Sequence, residues 1–206
     1  YYSCKVADDD NGDFYLRDLA AAGVASNPHG SMDSGITGKC LVMITPDAER
    51  TMNTFLGVSE SLSQRELDEN ALLDSEYLYI EGYLVTSPSA REAAIRARSL
   101  AQQNGIKTAI SLSDPGMVEF FEQGLREMIG DRVDMLFCNL EEALQWTRAE
   151  TVQEAAERLK RDANTFAITL GGDGALVYNG PQLLQIPPYP VKAIDTNGAG
   201  DMFAGA

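Results

Sequence analysis

Between residues 76 and 179, short β-rich runs alternate with longer stretches whose apolar residues recur at helical spacing. "EYLYIEGY" reads as a strand. Ser87 and Pro88 then suit the N-cap and first position of a helix, whose apolar stripe is Ala93, Ala97, Leu100 and Ala101 and whose stop is Asn104-Gly105. "KTAISL" is the next strand, followed by Val118, Phe121, Leu125 and Met128 at helical spacing. After "VDMLFC", Thr151 and Glu154 form a capping box ahead of Ala155, Ala156 and Leu159, and "FAITL" and "ALVYN" flank a glycine-rich turn. Strands separated by whole helices pair through crossovers, so the expected fold is α/β, a largely parallel Rossmann-like sheet with helices on both faces.

Two segments stand outside this alternation. "VADDDNGDFYLRDLAAAG" reads as a strand end, an acidic turn and a helix stopped by Gly23. A calcium loop fails there on register, because Gly12 at the sixth position puts Ala7, which has no side-chain oxygen, at the first ligand position. From Gly35 to Gly57, two β-rich runs around "TPDAE" predict a hairpin over residues 39–56, placed outside the main sheet as a lid or an edge. One α/β domain over residues 1–206 is expected, since 206 residues with 44% hydrophobic content bury one ordinary core.

The formal charge of −15 repels phosphate backbones and anionic lipid, so neither nucleic acid nor a membrane surface is an expected partner. Cys4, Cys40 and Cys138 form no C-x-x-C pair and His29 is the single histidine, which excludes a disulfide framework or a zinc site. No apolar run reaches membrane-spanning length and "YYSCKVADDD" lacks the pattern of a secretory signal; a cytoplasmic protein is expected.

In open α/β sheets, ligands sit beyond the carboxyl ends of the strands, and three polar clusters fall there: "CNLEEA", "TLGGDG" and "DTNGAGD". Three in succession suggest one crevice. Gly198, Ala199 and Gly200 can present successive backbone N–H groups at a helix start, which is an anion site. Asp201 beside bound negative charge makes chemical sense as a proton acceptor for a substrate hydroxyl during phosphoryl transfer. A helix-capping Asp accounts for an isolated G-x-G-D as well. Gly171, Gly172 and Gly174 make a turn that backbone-hugging nucleotide could approach, or an ordinary strand-to-strand turn. Asn139 and Glu142, three apart at a helix start, suit either a hydrated Mg²⁺ or a helix cap. No G-x-x-x-x-G-K-[ST] loop and no protein-kinase signature occurs.

Taken in order, these clusters resemble the ribokinase-like (PfkB) family of carbohydrate and nucleoside kinases. "DTNGAGD" is similar to its C-terminal signature, "NLEEA" to its N-x-x-E motif, "TLGGDG" to its T-x-G-x-x-G turn and "VADDDNG" to its V-G-x-D-x-x-G. The resemblance implies Asp201 as catalytic base, Gly198 to Gly200 as anion hole, and Thr169, Gly171, Gly174 and Asn139 around ATP. It implies Glu142 organising Mg²⁺ through water, a monovalent cation such as K⁺ at Asp195 and Thr196, and a hairpin lid that brings Arg50 near acceptor or phosphate. Leu140 stands where the family often has Glu, and Ala7 and Ala48 replace common glycines.

"YIEGYLVTSP" and "ISLSDP" are more similar to the G-F-x-L-T-x-S-P and N-L-S-A-P stretches of adenosine kinases than to ribokinases or fructokinases. The expected partner is therefore a small-molecule nucleoside, adenosine first, with a sugar or a non-catalytic nucleotide- or sugar-binding role as alternatives. A homodimer through the lid is a further expectation. The resemblance also implies a longer chain, with acceptor-gripping strands ahead of "VADDDNG" and an adenine wall after Ala206.

Overall fold

The computed structural model describes residues 1–26, 32–48 and 50–206, with the Met32 side chain outside the description. His29 lies outside the described residues. The chain divides into two compact units, Tyr1–Leu72 with Lys192–Ala206, and Leu73–Val191.

In the first unit, β1 (Val6–Ala7) leads into α1 (Asp10–Ala21), and β1 pairs in parallel with β2 (Met32–Asp33). Asp9 is the N-cap of α1, its carboxylate accepting the Gly12 N–H at 2.8 Å, so the acidic run serves the helix start. A Cβ on Gly12 would lie 2.1 Å from the Ala7 carbonyl oxygen, which makes glycine the residue that lets helix and strand approach. Lys5 is buried and bridges Asp33 at 2.9 Å and Glu66 at 3.6 Å, and it also donates to Ser61 O at 3.2 Å. Lys5 thus has charge of opposite sign on both sides, while Glu66 Oε1, buried, makes no hydrogen bond and relies on the ion pair alone.

β3 (Lys39–Ile44) and β4 (Arg50–Phe55) form an antiparallel two-stranded sheet of their own, in register from Lys39↔Phe55 to Ile44↔Arg50. Ala48 in the connecting turn holds φ +67°, a left-handed conformation that favours glycine. Two 3-10 turns, Gly57–Ser61 and Gln64–Glu66, and the short α2 (Glu69–Leu73) follow.

The second unit contains, in order, β5 (Tyr77–Glu81), α3 (Pro88–Gln103), β6 (Lys107–Ser111), α4 (Pro115–Ile129), β7 (Val133–Asn139), α5 (Leu140–Thr147), α6 (Val152–Leu159), β8 (Ala163–Thr169), β9 (Ala175–Tyr178) and β10 (Leu183–Ile186). They build a six-stranded sheet of order β10-β9-β8-β7-β6-β5, parallel from β5 to β8 and antiparallel beyond. The fold is α/β, mixed and mostly parallel. Ile80, Ile110, Leu136 and Phe166 share one sheet face by register and pack with Leu125, Met128, Ala143, Trp146, Ala155 and Leu159 of the helices into one core. The helix starts are local: Ser87 accepts from Ala90 N–H with Pro88 next, and Asp114 accepts from Gly116 N–H with Pro115 next.

Three features differ from expectation. Phe121 leaves helical geometry at φ −129°, ψ 23° and is 36% exposed; the close approach to Val85 is made instead by Gly124, whose Cβ would stand 2.5 Å from Val85 Cγ2. The Thr151–Glu154 box is half formed: Thr151 accepts from Glu154 N–H, while the Glu154 carboxylate takes the Glu150 N–H instead. The "LLQI" segment, without strand alternation of its own, becomes β10 because β9 offers it a pairing edge.

Following the second unit, α7 (Ala199–Gly205) returns the chain to the first.

Candidate active site

In the second unit, β7 and β8 end side by side, with Asn139 and Thr169 as register partners. Asn139 ends its strand by capping α5: its side-chain oxygen accepts the Glu142 N–H at 2.8 Å. Glu142 answers with both carboxylate oxygens, one accepting the Asn139 N–H at 2.9 Å and the other Asn139 Nδ2 at 2.7 Å. Burial pushes the Glu142 carboxyl up to about 7, the charges of Asp114 and Glu141 adding to it and the Asn139 N–H opposing it. A carboxylate in this state is charged only in part near neutrality, and an approaching cation favours its ionised form. Both oxygens of Glu142 are thus engaged by Asn139.

The turn from Leu170 to Gly174 is closed by Leu170 N–H to Gly174 O at 2.8 Å and Gly174 N–H to Gly171 O at 3.2 Å. Its glycines divide by cause. Gly174, at φ +89°, would put a Cβ 2.1 Å from Ile186 O, so packing alone demands glycine there. Added Cβ atoms on Gly171 and Gly172 meet nothing within 4 Å, and only Gly171 has a positive φ, at +58°. Gly172 is thus required neither by packing nor by a left-handed φ. Bare backbone facing open space is the form a nucleotide-approach surface takes.

Further residues stand at the same strand ends without a sequence signal that singles them out. Ser113, just past β6, holds φ +71° and donates from its hydroxyl to the Glu81 carboxylate, at the end of β5, at 3.1 Å. A positive φ in serine leaves no mark in spacing or composition; only the folded backbone exposes it.

In the first unit, Gly198 is the N-cap of α7 at φ +72°, and its carbonyl accepts the Met202 N–H at 2.9 Å. The Ala199 amide is used within the turn, donating to Thr196 O at 3.2 Å, so the amides of Gly200 and Asp201 are the ones the helix start presents. A Cβ on Gly200 meets nothing within 4 Å, although glycine costs a helix up to about 1 kcal/mol against alanine. Asp201 is exposed in the same first turn. This arrangement can hold an anion on backbone amides and keep a carboxylate beside it. Asp195 accepts the Asn197 N–H at 2.7 Å. Arg50 of the hairpin donates through Nη1 to Thr196 O at 3.1 Å and to Thr196 Oγ1 at 3.2 Å.

The structure therefore brings Asn139, Glu142 and Thr169 together at neighbouring strand ends in one unit, and Arg50, Thr196 and the Gly198–Asp201 turn together in the other. Among the described residues no group of three or more His, Cys, Asp or Glu side chains is placed to hold a metal ion directly. A divalent cation accompanying a nucleotide keeps most of its ligands as water and phosphate oxygen, which asks less of the protein.

Residues 1–206 match the model of the family described as pfkB family carbohydrate kinase. An ATP-dependent ribose-1-phosphate kinase of Halopiger xanaduensis is 29% identical over 97% of this chain and 63% of that protein. Among solved structures, the adenosine kinase of Sinorhizobium meliloti superposes with a TM-score of 0.89 at 32% identity, covering 98% of this chain and 62% of that one. An E. coli protein solved in complex with ATP and Mg²⁺ gives 0.87 at 25% identity, over 98% of this chain and 67% of that one. The chain thus spans a little under two thirds of the length of the first two of these relatives.

Proposed function

The chain belongs to the pfkB family of carbohydrate kinases, and on that footing we propose that it transfers the γ-phosphoryl group of ATP to a hydroxyl of a nucleoside, adenosine first. The observation that carries this reading is Gly200: a helical glycine, with open space where its Cβ would be, next to an exposed Asp201. Neither packing nor helix propensity explains it, whereas an anion resting on the α7 amides does.

In this reading Asp201 accepts the proton of the acceptor hydroxyl, and the amides at the α7 start hold charge as it develops on the transferring group. Gly171 and Gly172 leave the backbone open to the nucleotide, and Thr169 borders it. Asn139 holds Glu142 by two hydrogen bonds, so that its carboxylate orders water around the divalent ion. Mg²⁺, when bound with ATP, neutralises phosphate charge. K⁺ is proposed at Asp195 and Thr196. The β3–β4 hairpin is proposed as the lid that excludes water over the acceptor.

Adenosine is favoured by "YIEGYLVTSP" and "ISLSDP" and by the likeness to an adenosine kinase; a sugar acceptor is the alternative, favoured by the likeness to a ribose-1-phosphate kinase. ADP release measured across adenosine, inosine, ribose and fructose, with and without K⁺, separates them. Turnover of adenosine that disappears in Asp201→Asn, by about 10² to 10⁴ in rate, is the expected result. Binding of ATP without ADP release from any acceptor would favour a non-catalytic regulator instead.

The exposed Leu41, Met43 and Phe55 share one hairpin face by register and support a homodimer through it, tested by sedimentation with Leu41→Ser. Among the described residues no helix is long and apolar enough to cross a membrane. Action on small metabolites in the cytoplasm is the setting we assign.

A further inference from the structure

The β3–β4 hairpin is a two-stranded sheet whose strand residues are exposed apart from a half-buried Val42. Such a sheet is marginal by itself and takes its position from where its ends and turn are fastened. The exception to its exposure is informative: Ala48, in the turn, is buried. Its carbonyl accepts the hydroxyl of Thr196 at 3.1 Å, a residue 148 positions away. The same hydroxyl oxygen, with the Thr196 carbonyl, accepts from Arg50 Nη1 at the first residue of β4. The Thr196 carbonyl further accepts the Ala199 N–H, in the turn that opens α7. One residue thus connects the hairpin turn, the hairpin's arginine and the helix start.

We infer that Thr196 is a positioning residue, whose hydroxyl fastens the hairpin turn to the loop opening α7 and so keeps the Arg50 guanidinium beside the phosphoryl-binding turn. The chemistry requires a hydroxyl: one oxygen must accept from Arg50 and donate to Ala48 at once, which serine can do and the isosteric valine cannot. The consequence for turnover rests on the kinase reading proposed above; the fastening does not. A guanidinium held there meets phosphoryl oxygens without an ordering step of the hairpin, and pre-organised charge of this kind is worth most where charge develops.

The test is amide hydrogen exchange across residues 39–55 of the full chain, in wild type, Thr196→Val, Thr196→Ser, Arg50→Met and the double variant Arg50→Met with Thr196→Val. Thr196→Val and Arg50→Met each remove two of these three hydrogen bonds and share the one from Arg50 to the Thr196 hydroxyl, so each is expected to speed exchange by at least about 2- to 12-fold, the range for loss of one net hydrogen bond. Thr196→Ser should keep the wild-type pattern, and the double variant should fall short of the product of the single effects, because both remove the bond between Arg50 and the Thr196 hydroxyl. In turnover, Thr196→Val lowers kcat/KM, Thr196→Ser restores it, and the double variant falls short of the product of the two single effects. Unchanged hairpin exchange in Thr196→Val, or single effects that multiply in the double variant, would overturn the inference. Absence of any turnover in wild type would count against the kinase reading alone, since the exchange pattern reports the fastening without substrate.

Discussion

The amide of Thr37 and its hydroxyl both donate to the carboxylate of Asp9, the amide at 3.0 Å, although the two residues stand 28 positions apart. Asp9 also caps α1 through Gly12, and these bonds, the Thr37 hydroxyl first, hold its carboxyl down at about 2 from the ordinary 3.8. A depressed carboxyl stabilises the fold above its unfolded pKa and loses that contribution as pH falls through its folded one. The window is therefore about pH 4 down to about pH 2. Asp9→Asn is expected to lower the Tm at neutral pH, with the gap to wild type closing across that window. A gap that stays constant from pH 4 to pH 2 would show that the carboxylate's charge plays no part.

Gly200→Ala separates stability from function. The added methyl meets no protein atom within 4 Å and removes a helix-disfavouring glycine, so stability should rise by up to about 1 kcal/mol. The same methyl stands where the anion would approach the α7 amides, and a displacement of roughly 1 Å costs about 10²-fold in rate. Thermal unfolding and ADP release on one preparation read both effects. A stabilised variant with undiminished turnover would remove the anion from this turn.

Glu142→Gln tests the assignment of the Asn139–Glu142 pair. The amide cannot reproduce both acceptor oxygens that Asn139 now meets, and it carries no charge to order water about a divalent ion. The Mg²⁺ concentration for half-maximal rate should rise while the KM for the nucleoside changes little. An unchanged Mg²⁺ titration would leave the pair as a helix cap.

Salt should stabilise this chain. With a formal charge of −15, repulsion across the surface opposes the compact state. Raising KCl from 0.1 M to 1 M shortens the screening length from about 10 Å to about 3 Å and relieves that repulsion. A higher Tm is expected. A lower one would mean that local pairs such as Arg126–Glu122 and Lys160–Glu157 outweigh the net charge.

The legible parts of the candidate site were the ones written within a few residues. "NLEEA" contains both halves of its cap, since Asn139 and Glu142 are three apart, and "DTNGAGD" contains both the glycine turn and Asp201. The "TLGGDG" turn was legible as a turn that a nucleotide could approach, but the separate reasons for its glycines were not. That Gly174 is demanded by Ile186 O while Gly172 faces open space depends on β10, a strand whose existence is decided by pairing with β9. The kink at Phe121 and the redirection of Glu154 to the Glu150 amide escaped for a similar reason. Apolar spacing and capping patterns state what a helix can do, and its neighbours select among the options.

The sequence by itself determined the alternation of strands and helices from β5 to β9, the caps at Ser87, Asn139 and Thr151, and the family signature ending in Asp201. Each is a short-range matter, in which a side chain reaches a backbone group two to four residues away or an apolar period repeats within one element. Only the tertiary structure decided that Asp9 would hold Thr37, that Lys5 would be buried between Asp33 and Glu66, and that Arg50 and Ala48 would meet at Thr196. Those contacts join residues far apart in the chain. Their partners are chosen by which backbones the packing brings together, and no local spacing carries that information.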